Sequence, residues 1–311
     1  MANEFKRACS GLPLVDAKAL ELGSVLGQGA TSTVVRSIFQ GKACAAKVLK
    51  SEHSMGYKLD RGIIAELSVL SKLGPHPNII NCYGVIIDGA PAPIIILELI
   101  EGKDLERYTS MLKPGFDLGK STIQKWSLDL LSALEYLHDR DPIIIHCDVK
   151  PANLLVTSSS RGSSLKLTDF GISKTVDRDK RLTAQHKANE GSARYRAPEV
   201  LSTSNRANYT EKADIYSAAL VIYFILTGRV PDNDVTVDLR WRPTLLLARM
   251  RWRGMADLLE HMWAHDAERR PEAGECGARV RRLGEADAGA PAPRPGCYAG
   301  MRRAAQRRLV A

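Results

Sequence analysis

Residues 146–153 read His-Cys-Asp-Val-Lys-Pro-Ala-Asn, and the apolar run Leu154-Leu155-Val156 follows at once. Asp148 supplies a base, Lys150 a cation and Asn153 an amide oxygen that can bind a metal, all within one loop. The apolar run predicts a strand directly after the loop. This segment therefore combines a base, a cation and a metal ligand at the start of a strand.

Two short motifs follow this loop. Asp169-Phe170-Gly171 begins 21 residues past Asp148, and Ala197-Pro198-Glu199 ends 30 residues past Asp169. A tripeptide of this kind occurs easily by chance. The loop and the two motifs together fix about ten positions, each with a frequency of roughly one in twenty, so chance does not explain their order.

Two glycines, Gly27 and Gly29, lie between two predicted strands in residues 19–39. Residues without side chains let backbone N–H groups approach phosphate oxygens. Taken alone, such a hairpin is structural more often than functional. A dinucleotide-binding loop would be followed by a helix, whereas here a strand follows.

Lys47 lies in a third predicted strand, residues 43–49, among small and apolar neighbours. Alone it would be read as a surface residue. Residues 60–73 have helical periodicity that stops at Gly74-Pro75, and Glu66 falls on the polar side of this helix. Glu66 is therefore a candidate partner for a partly desolvated Lys47.

The two parts of the chain differ in predicted secondary structure. Up to about residue 100, the pattern predicts a sheet with one helix, ending in a hairpin of residues 83–88 and 93–100. Further along, residues 121–138 carry one apolar helical face, and residues 213–226 are apolar nearly all round, as in a buried helix. The second part is therefore mainly helical.

The net charge of +9 belongs to two local segments. Residues 240–253 contain five Arg and no acid, and residues 279–311 contain eight Arg and two acids. The rest of the chain is close to neutral, so the charge does not indicate a nucleic-acid-binding body. Among residues 284–300, 12 of the 17 are Gly, Ala or Pro. This composition predicts a flexible tail over residues 284–311.

The remaining compositional features point to an intracellular globular protein. Hydrophobic residues make up 44% of the 311 residues, enough for a core. The six cysteines form no C-x-x-C pair, which argues against a zinc site or a disulfide scaffold. The sequence shows no apolar run of the roughly 20 residues that a membrane span needs, and no signal peptide. We predict a cytoplasmic protein, with the nucleus as the alternative.

These motifs resemble the signature set of eukaryotic protein kinases. Lys150, two residues after Asp148, is similar to the serine/threonine type, and the phrases at 146–155 and 263–271 resemble the tyrosine kinase-like group that includes plant receptor-like kinases. The resemblance implies an α+β, two-lobed protein kinase fold. The implied divisions are an N-terminal extension 1–19, a kinase domain 20–283 (N-lobe 20–97, hinge 98–102, C-lobe 103–283) and the tail 284–311.

The resemblance also implies the role of each site residue in phosphoryl transfer from ATP. Asp148 would accept the proton of the substrate hydroxyl, and Lys150 and Lys47 would balance phosphate charge. Asn153 and Asp169 would bind Mg²⁺. The other implied nucleotide-site residues are Gly27, Gly29, Val34, Ala45, Glu66, Glu98, Ile100 and Leu155, with the backbone of Glu98 and Ile100 facing adenine.

Two structural roles are also implied. His146 would brace the Asp-Phe-Gly segment and take no part in proton chemistry. Glu199 would form an ion pair with Arg270.

Some positions depart from the family pattern. Ser32 replaces the third loop glycine, Ala219 replaces a glycine of the buried helix, and the segment from Pro231 to Trp263 is short, so a helix that docks substrates is expected to be reduced or missing. Cys147 replaces the Arg that commonly precedes the catalytic Asp.

In the family that Arg reads a phosphate on the activation loop, which here contains Ser173, Thr175 and Thr183. The cations Lys174, Arg178 and Arg181 are expected to move with the loop. A thiol cannot replace a guanidinium fork, so a single loop phosphate is not expected to switch the protein.

Three functions are compatible with the sequence. The first is a serine/threonine protein kinase that uses ATP and Mg²⁺ on protein substrates and acts as a monomer or under an unknown partner. The second is a scaffold or signalling adaptor with a kinase fold and negligible turnover. The third, a nucleic-acid binder, is disfavoured because the basic tail has no aromatic residue after Met301 to stack a base. Lys47, Asp148, Asn153 and Asp169 are all present, which favours the first.

Overall fold

The computed structural model describes most of the chain and leaves out several loops and both ends. The described residues are 8–29, 32–50, 61–89, 92–112, 118–160, 162–177, 193–201, 210–231 and 242–288.

The small lobe is a five-stranded antiparallel sheet with strand order β1-β2-β3-β5-β4. Its strands are rich in small and β-branched residues, which suit a pleated surface. This is the sheet that the sequence predicts. The strands are β1 (Leu20–Gln28), β2 (Ser32–Phe39), β3 (Lys42–Leu49), β4 (Cys82–Ile86) and β5 (Ile94–Glu98).

Helix α1 (Arg61–Leu70) packs beside this sheet. Leu67 and Leu70 are fully buried in the main core, and a turn follows before Gly74. The predicted helix over residues 60–73 is therefore present and three residues shorter at its end. Its position brings Glu66 under β3.

The large lobe is mainly helical. Its central helix, α5 (Lys212–Thr227), is buried from Ala213 to Leu226 and is capped by Gly228, whose φ of 68° is the left-handed conformation that suits glycine. In α3 (Lys120–His138), the predicted apolar stripe from Ile123 to Leu137 faces the core. The helices are α2 (Leu105–Ser110), α3 (Lys120–His138), α4 (Pro198–Leu201), α5 (Lys212–Thr227), α6 (Leu246–Met262) and α7 (Ala273–Ala288).

Four short strands carry the motif loops between the lobes. Strands β6 (Ile143–Ile145) and β9 (Lys174–Val176) pair antiparallel, as do β7 (Leu154–Ser159) and β8 (Gly162–Leu167). The loop of residues 146–153 therefore joins β6 to β7, and the Asp-Phe-Gly segment joins β8 to β9. The α+β fold that the resemblance implies is confirmed.

The ends of the domain differ from the predicted boundaries. Helix α7 continues to Ala288, five residues into the segment predicted to be a flexible tail, while residues 289–311 lie outside the described residues. Gln124 of α3 donates to the Val280 carbonyl at 3.2 Å and touches Gly284, so the tail prediction is wrong for the first residues after 283. At the other end, residues 8–19 of the predicted N-terminal extension pack onto the small lobe.

Within the parts of the chain that the structure describes, we find no helix with the length and apolar character of a membrane span. Between Pro231 and the start of α6, residues 232–241 lie outside the described residues. The prediction that a docking helix is reduced or missing falls in this part of the chain.

Candidate active site

Lys47 and Glu66 form an ion pair between the sheet and α1. Lys47 Nζ lies 2.6 Å from Glu66 Oε1 and 3.3 Å from Asp169 Oδ1. Both partners of the shorter contact are nearly buried. Burial lowers the pKa of Lys47, but the carboxylates of Glu66 and Asp169 outweigh this and leave the pKa above its ordinary value. Lys47 is therefore a fixed cation at neutral pH.

The two carboxylates beside Lys47 differ in their environment. Burial raises the pKa of Glu66, and Lys47 offsets this only in part. Burial also raises the pKa of Asp169. The charges of Lys47 and His146 and the hydrogen bond from the Gly171 N–H outweigh this effect and hold the pKa below its ordinary value. Asp169 is half-exposed, so it presents an ionised carboxylate to the cleft, as a metal ligand must.

His146 contacts the Asp-Phe-Gly segment through a hydrogen bond and through ring packing. Its Nε2 donates to the Thr168 carbonyl at 3.0 Å, and its ring packs edge-on against the buried Phe170 with centroids 5.1 Å apart. Asp169 has a φ of 66°, an uncommon conformation for a residue with a side chain. These contacts agree with the bracing role expected for His146.

In the loop between β6 and β7, two polar side chains bind the carboxylate of the third. Asp148 Oδ2 accepts from Lys150 Nζ at 2.6 Å and from Asn153 Nδ2 at 2.9 Å. Asn153 Nδ2 also donates to the Asp148 carbonyl at 2.8 Å, which turns its Oδ1 away from Asp148. The predicted base, cation and amide are therefore in mutual contact.

Asp214 of α5 anchors this loop from the core. It accepts from the backbone N–H of His146 at 2.8 Å and of Cys147 at 2.9 Å, and from His138 Nε2 at 3.0 Å. Sequence reasoning placed Asp214 in the buried helix but missed this role. The signal was available, because a carboxylate inside an apolar helix must find buried donors.

A backbone hydrogen bond joins the two groups of side chains. Thr168 N–H, directly before Asp169, donates to the Asn153 carbonyl at 3.0 Å. The Lys47–Glu66–Asp169 cluster and the Asp148–Lys150–Asn153 cluster are therefore adjacent parts of one site. Asn153 and Asp169 offer an amide oxygen and an ionised carboxylate, which are oxygen donors that suit Mg²⁺. Among the described residues no group of three His, Cys, Asp or Glu forms a metal cluster.

The predicted nucleotide-site residues line the inner strands and the hinge. Val34 pairs with Lys47 across β2 and β3, and Ala45 pairs with Leu97 across β3 and β5. A Cβ added at Gly27 would meet nothing within 4 Å, so the backbone there borders open space. Leu26, directly before Gly27, is 45% exposed.

The Glu98 prediction is refined by the hinge geometry. Its backbone N–H donates to the Asn81 carbonyl at 2.9 Å, so this N–H is not available to a base. Its carboxylate is held by Asn81 Nδ2 and by Lys166 Nζ of β8, each at 2.9 Å. Leu155 in β7 and Ile100 in the hinge are both half-buried.

The structure adds two observations about the activation loop, and one of them corrects an expectation. Ser173 is buried and donates to the His146 carbonyl at 3.1 Å, so it is not exposed for modification. Lys174, which was expected to move with the loop, lies instead in β9 and pairs with Ile145 of β6. Thr175 is exposed in the same strand, and the other expected residues of the loop, Arg178, Arg181 and Thr183, lie outside the described residues.

The implied ion pair of the large lobe is present. Arg270 is fully buried and donates through both terminal nitrogens to the Glu199 carboxylate, at 2.6 and 2.8 Å. Two parallel charge-assisted bonds of this kind fix orientation as well as distance. They tie α4, which closes the activation segment, to the region before α7.

Comparison with known proteins decides the family. A sequence model described as protein kinase domain matches residues 20–279. The chain belongs to the protein kinase family. The resemblance identified from the motifs is thereby confirmed.

Similar kinases come from animals and plants. Mitogen-activated protein kinase kinase kinase 7 of Homo sapiens is 30% identical over 268 residues, which is 83% of this chain and 40% of that protein. In Arabidopsis thaliana, serine/threonine-protein kinase VIK is 32% identical over 209 residues, 67% of this chain and 46% of that protein. Serine/threonine-protein kinase STY46 of the same plant is 29% identical over 269 residues, 84% of this chain and 44% of that protein. The matches therefore span less than half of each relative.

Proposed function

We propose that this kinase transfers the γ-phosphoryl group of ATP to Ser and Thr hydroxyls of protein substrates. The observation that carries the proposal is the adjacency of the two side-chain clusters, joined through the Thr168–Asn153 hydrogen bond. A scaffold without turnover has no need of this preorganised arrangement. The names of the relatives, which include serine/threonine-protein kinases, support the same chemistry.

The residues divide the work between the two substrates. Lys47, held by Glu66, would contact the nucleotide phosphates, and the backbone at Gly27 and Gly29 would cover them. Lys150 would balance charge on the transferred group. A bound Mg²⁺ would neutralise charge that develops on the phosphate oxygens, and Asn153 and Asp169 would hold it. These groups stabilise charge where it develops, and they need little rearrangement to do so.

Asp148 would orient the attacking hydroxyl and accept its proton. The new bond joins the Ser or Thr oxygen to the γ-phosphorus, the bond from that phosphorus to the bridging oxygen breaks, and ADP leaves with the electron pair. Lys150 and Asn153 hold the Asp148 carboxylate in place at 2.6 and 2.9 Å. Lys150 beside the base is also the feature that favours Ser and Thr over Tyr as acceptors.

The partners and compartment remain part of the proposal. We propose protein substrates, a chain that acts as a monomer or under an unidentified regulatory partner, and a cytoplasmic location with the nucleus as the alternative. These rest on the sequence.

A peptide array with γ-labelled ATP and Mg²⁺ tests the proposal. We expect label on Ser and Thr peptides, with phosphoserine and phosphothreonine as products, and none with the Asp169→Asn variant. Label on Tyr peptides alone would contradict the acceptor assignment. ATP binding without transfer to any peptide or protein would favour the scaffold.

A further inference from the structure

Residues 8–15, which we term the N-terminal strap, cross the edge of the small lobe. They precede the residues 20–279 that match the family. None of the site residues lies in them. The strap nevertheless has specific contacts with both the sheet and the turn after α1.

The strap adds to the free edge of the sheet. Val15 N–H donates to the Val85 carbonyl, and Val85 N–H donates to the Pro13 carbonyl, both at 2.9 Å. Leu14 thereby forms a parallel bridge with Val85 of β4. The edge strand of the sheet is in this way partly paired by the strap.

Two glycines leave room for the strap. A Cβ at Gly84 would lie 2.7 Å from the Pro13 carbonyl oxygen and 2.8 Å from Val15 Cγ2. A Cβ at Gly11 would lie 2.9 Å from the carbonyl oxygen of Ser71, in the turn after α1. Distances this short leave no space for a side chain, so the strap is in close contact with β4 and with the end of α1.

Burial shows that the strap reaches both faces of the sheet. Ala8 and Cys9 are buried in the main core together with Leu67 and Leu70 of α1. Val15 packs instead against the second apolar cluster, which includes Ala46 and Ile96 on the other face. The strap therefore connects α1 to the sheet around its β4 edge.

We propose that the strap is a positioning segment that holds α1 where Glu66 can pair with Lys47. Glu66 lies on α1 and Lys47 on β3, so their 2.6 Å contact depends on how the helix sits against the sheet. A strap bonded to β4 and packed against the end of α1 restricts that movement. Its effect on catalysis rests on the proposed function, and its effect on α1 does not.

Two variants remove the strap and two controls preserve it. Deletion of residues 1–15 removes it, whereas deletion of residues 1–7 keeps it. Gly84→Ala displaces it by collision with Pro13. Gly41→Ala is the matched control. Both glycines have a positive φ, 157° at Gly84 and 74° at Gly41, but a Cβ at Gly41 meets nothing within 4 Å.

Amide hydrogen exchange of residues 61–70 is the primary measurement. We expect exchange to be about tenfold faster after deletion of residues 1–15 and in Gly84→Ala, and unchanged in both controls. A synthetic peptide of residues 8–19 added to the truncated protein should restore slow exchange. Unchanged exchange in both strap variants would overturn the proposal, whether or not the protein transfers phosphate.

A double-mutant cycle connects the strap to the ion pair. We expect both strap variants to lower kcat/KM for ATP at least about fivefold, because a smaller fraction of molecules has Glu66 in place. In a Glu66→Gln background the same changes should have little further effect. Fully additive losses would show a general destabilisation and overturn the positioning role.

Discussion

At the scale of single residues, Lys47 forms ion pairs with two carboxylates of the site. It contacts Glu66 on α1 and Asp169 on the segment before β9, so one cation joins elements far apart in sequence. Its raised pKa means that it stays charged through the neutral range and loses its proton only in strongly alkaline solution. The cation is therefore available wherever the protein is folded at ordinary pH.

Lys47→Met tests this residue. We expect the rate of phosphoryl transfer to fall at least about 10²-fold, because water cannot replace a preorganised charge in a closed cleft. Lys42→Met is the control, since Lys42 is exposed in the same strand. The measurement is steady-state transfer to a peptide, and near-normal transfer by Lys47→Met would contradict the assignment.

Asp214→Ala tests the anchor below the catalytic loop. It leaves the N–H groups of His146 and Cys147 buried without their acceptor, at a cost of about 1–3 kcal/mol for each orphaned group. We expect a free energy of unfolding, measured by urea denaturation, lower by at least about 2 kcal/mol. The half-exposed Asp257 gives the control Asp257→Ala, for which a change of about 0–1 kcal/mol is expected.

An equal effect of the two substitutions would show that Asp214 does not hold the loop.

At the scale of elements, the β6–β9 pair fixes both catalytic segments. Strand β6 ends at Ile145, directly before His146, and β9 begins at its partner Lys174, three residues after Gly171. The pairing therefore sets the distance between the loop and the Asp-Phe-Gly segment. It also places Lys174 opposite Ile145, two residues before Cys147, the position where the family commonly has Arg.

The activation segment is expected to be insensitive to single phosphates. One lysine offers a point charge, whereas the missing Arg would offer a bidentate fork, so a phosphate on Thr175 or Thr183 gains little ordering energy. We expect Thr175→Ala, Thr183→Ala and phosphatase-treated protein to keep activity within tenfold, about 1.4 kcal/mol, of untreated protein. A larger fall in any of the three would show that Lys174 or another basic group reads a phosphate.

At the scale of the whole molecule, the hinge is reinforced by Glu98. Its carboxylate binds Asn81 of the small lobe and Lys166 of β8 on the side of the large lobe. Lys166 also donates to the Ile79 carbonyl at 3.3 Å. The lobes are thus joined by side chains as well as by the backbone of residues 98–102.

The end of the domain is tested by truncation. Because α7 is helical to Ala288, removal of residues 289–311 should change the melting temperature by less than about 2 °C. Removal of residues 273–311 deletes α7 with its buried Cys276 and Val280, and we expect it to unfold the large lobe. A large drop in melting temperature after the first truncation would show that the terminal segment packs on the domain.

The sequence predicted what depends on local pattern. The apolar stripe of α3, the hairpins of the sheet and the pairing of Lys47 with Glu66 follow from periodicity and residue type. It did not reveal the strap on Val85 or the Glu98–Lys166 contact, because these join residues about seventy positions apart without a periodic signal. Lys174 was misjudged for the same reason, since pairing with β6 is a long-range contact.

The most direct test of the proposed chemistry compares the chain with its Asp148→Asn variant. ATP affinity and single-turnover transfer to a Ser or Thr peptide are measured on both proteins in the presence of Mg²⁺. We expect the variant to bind ATP within about threefold of the unaltered chain and to transfer phosphate at least about 10²-fold more slowly. Equal transfer rates, or no transfer by the unaltered chain, would contradict the account.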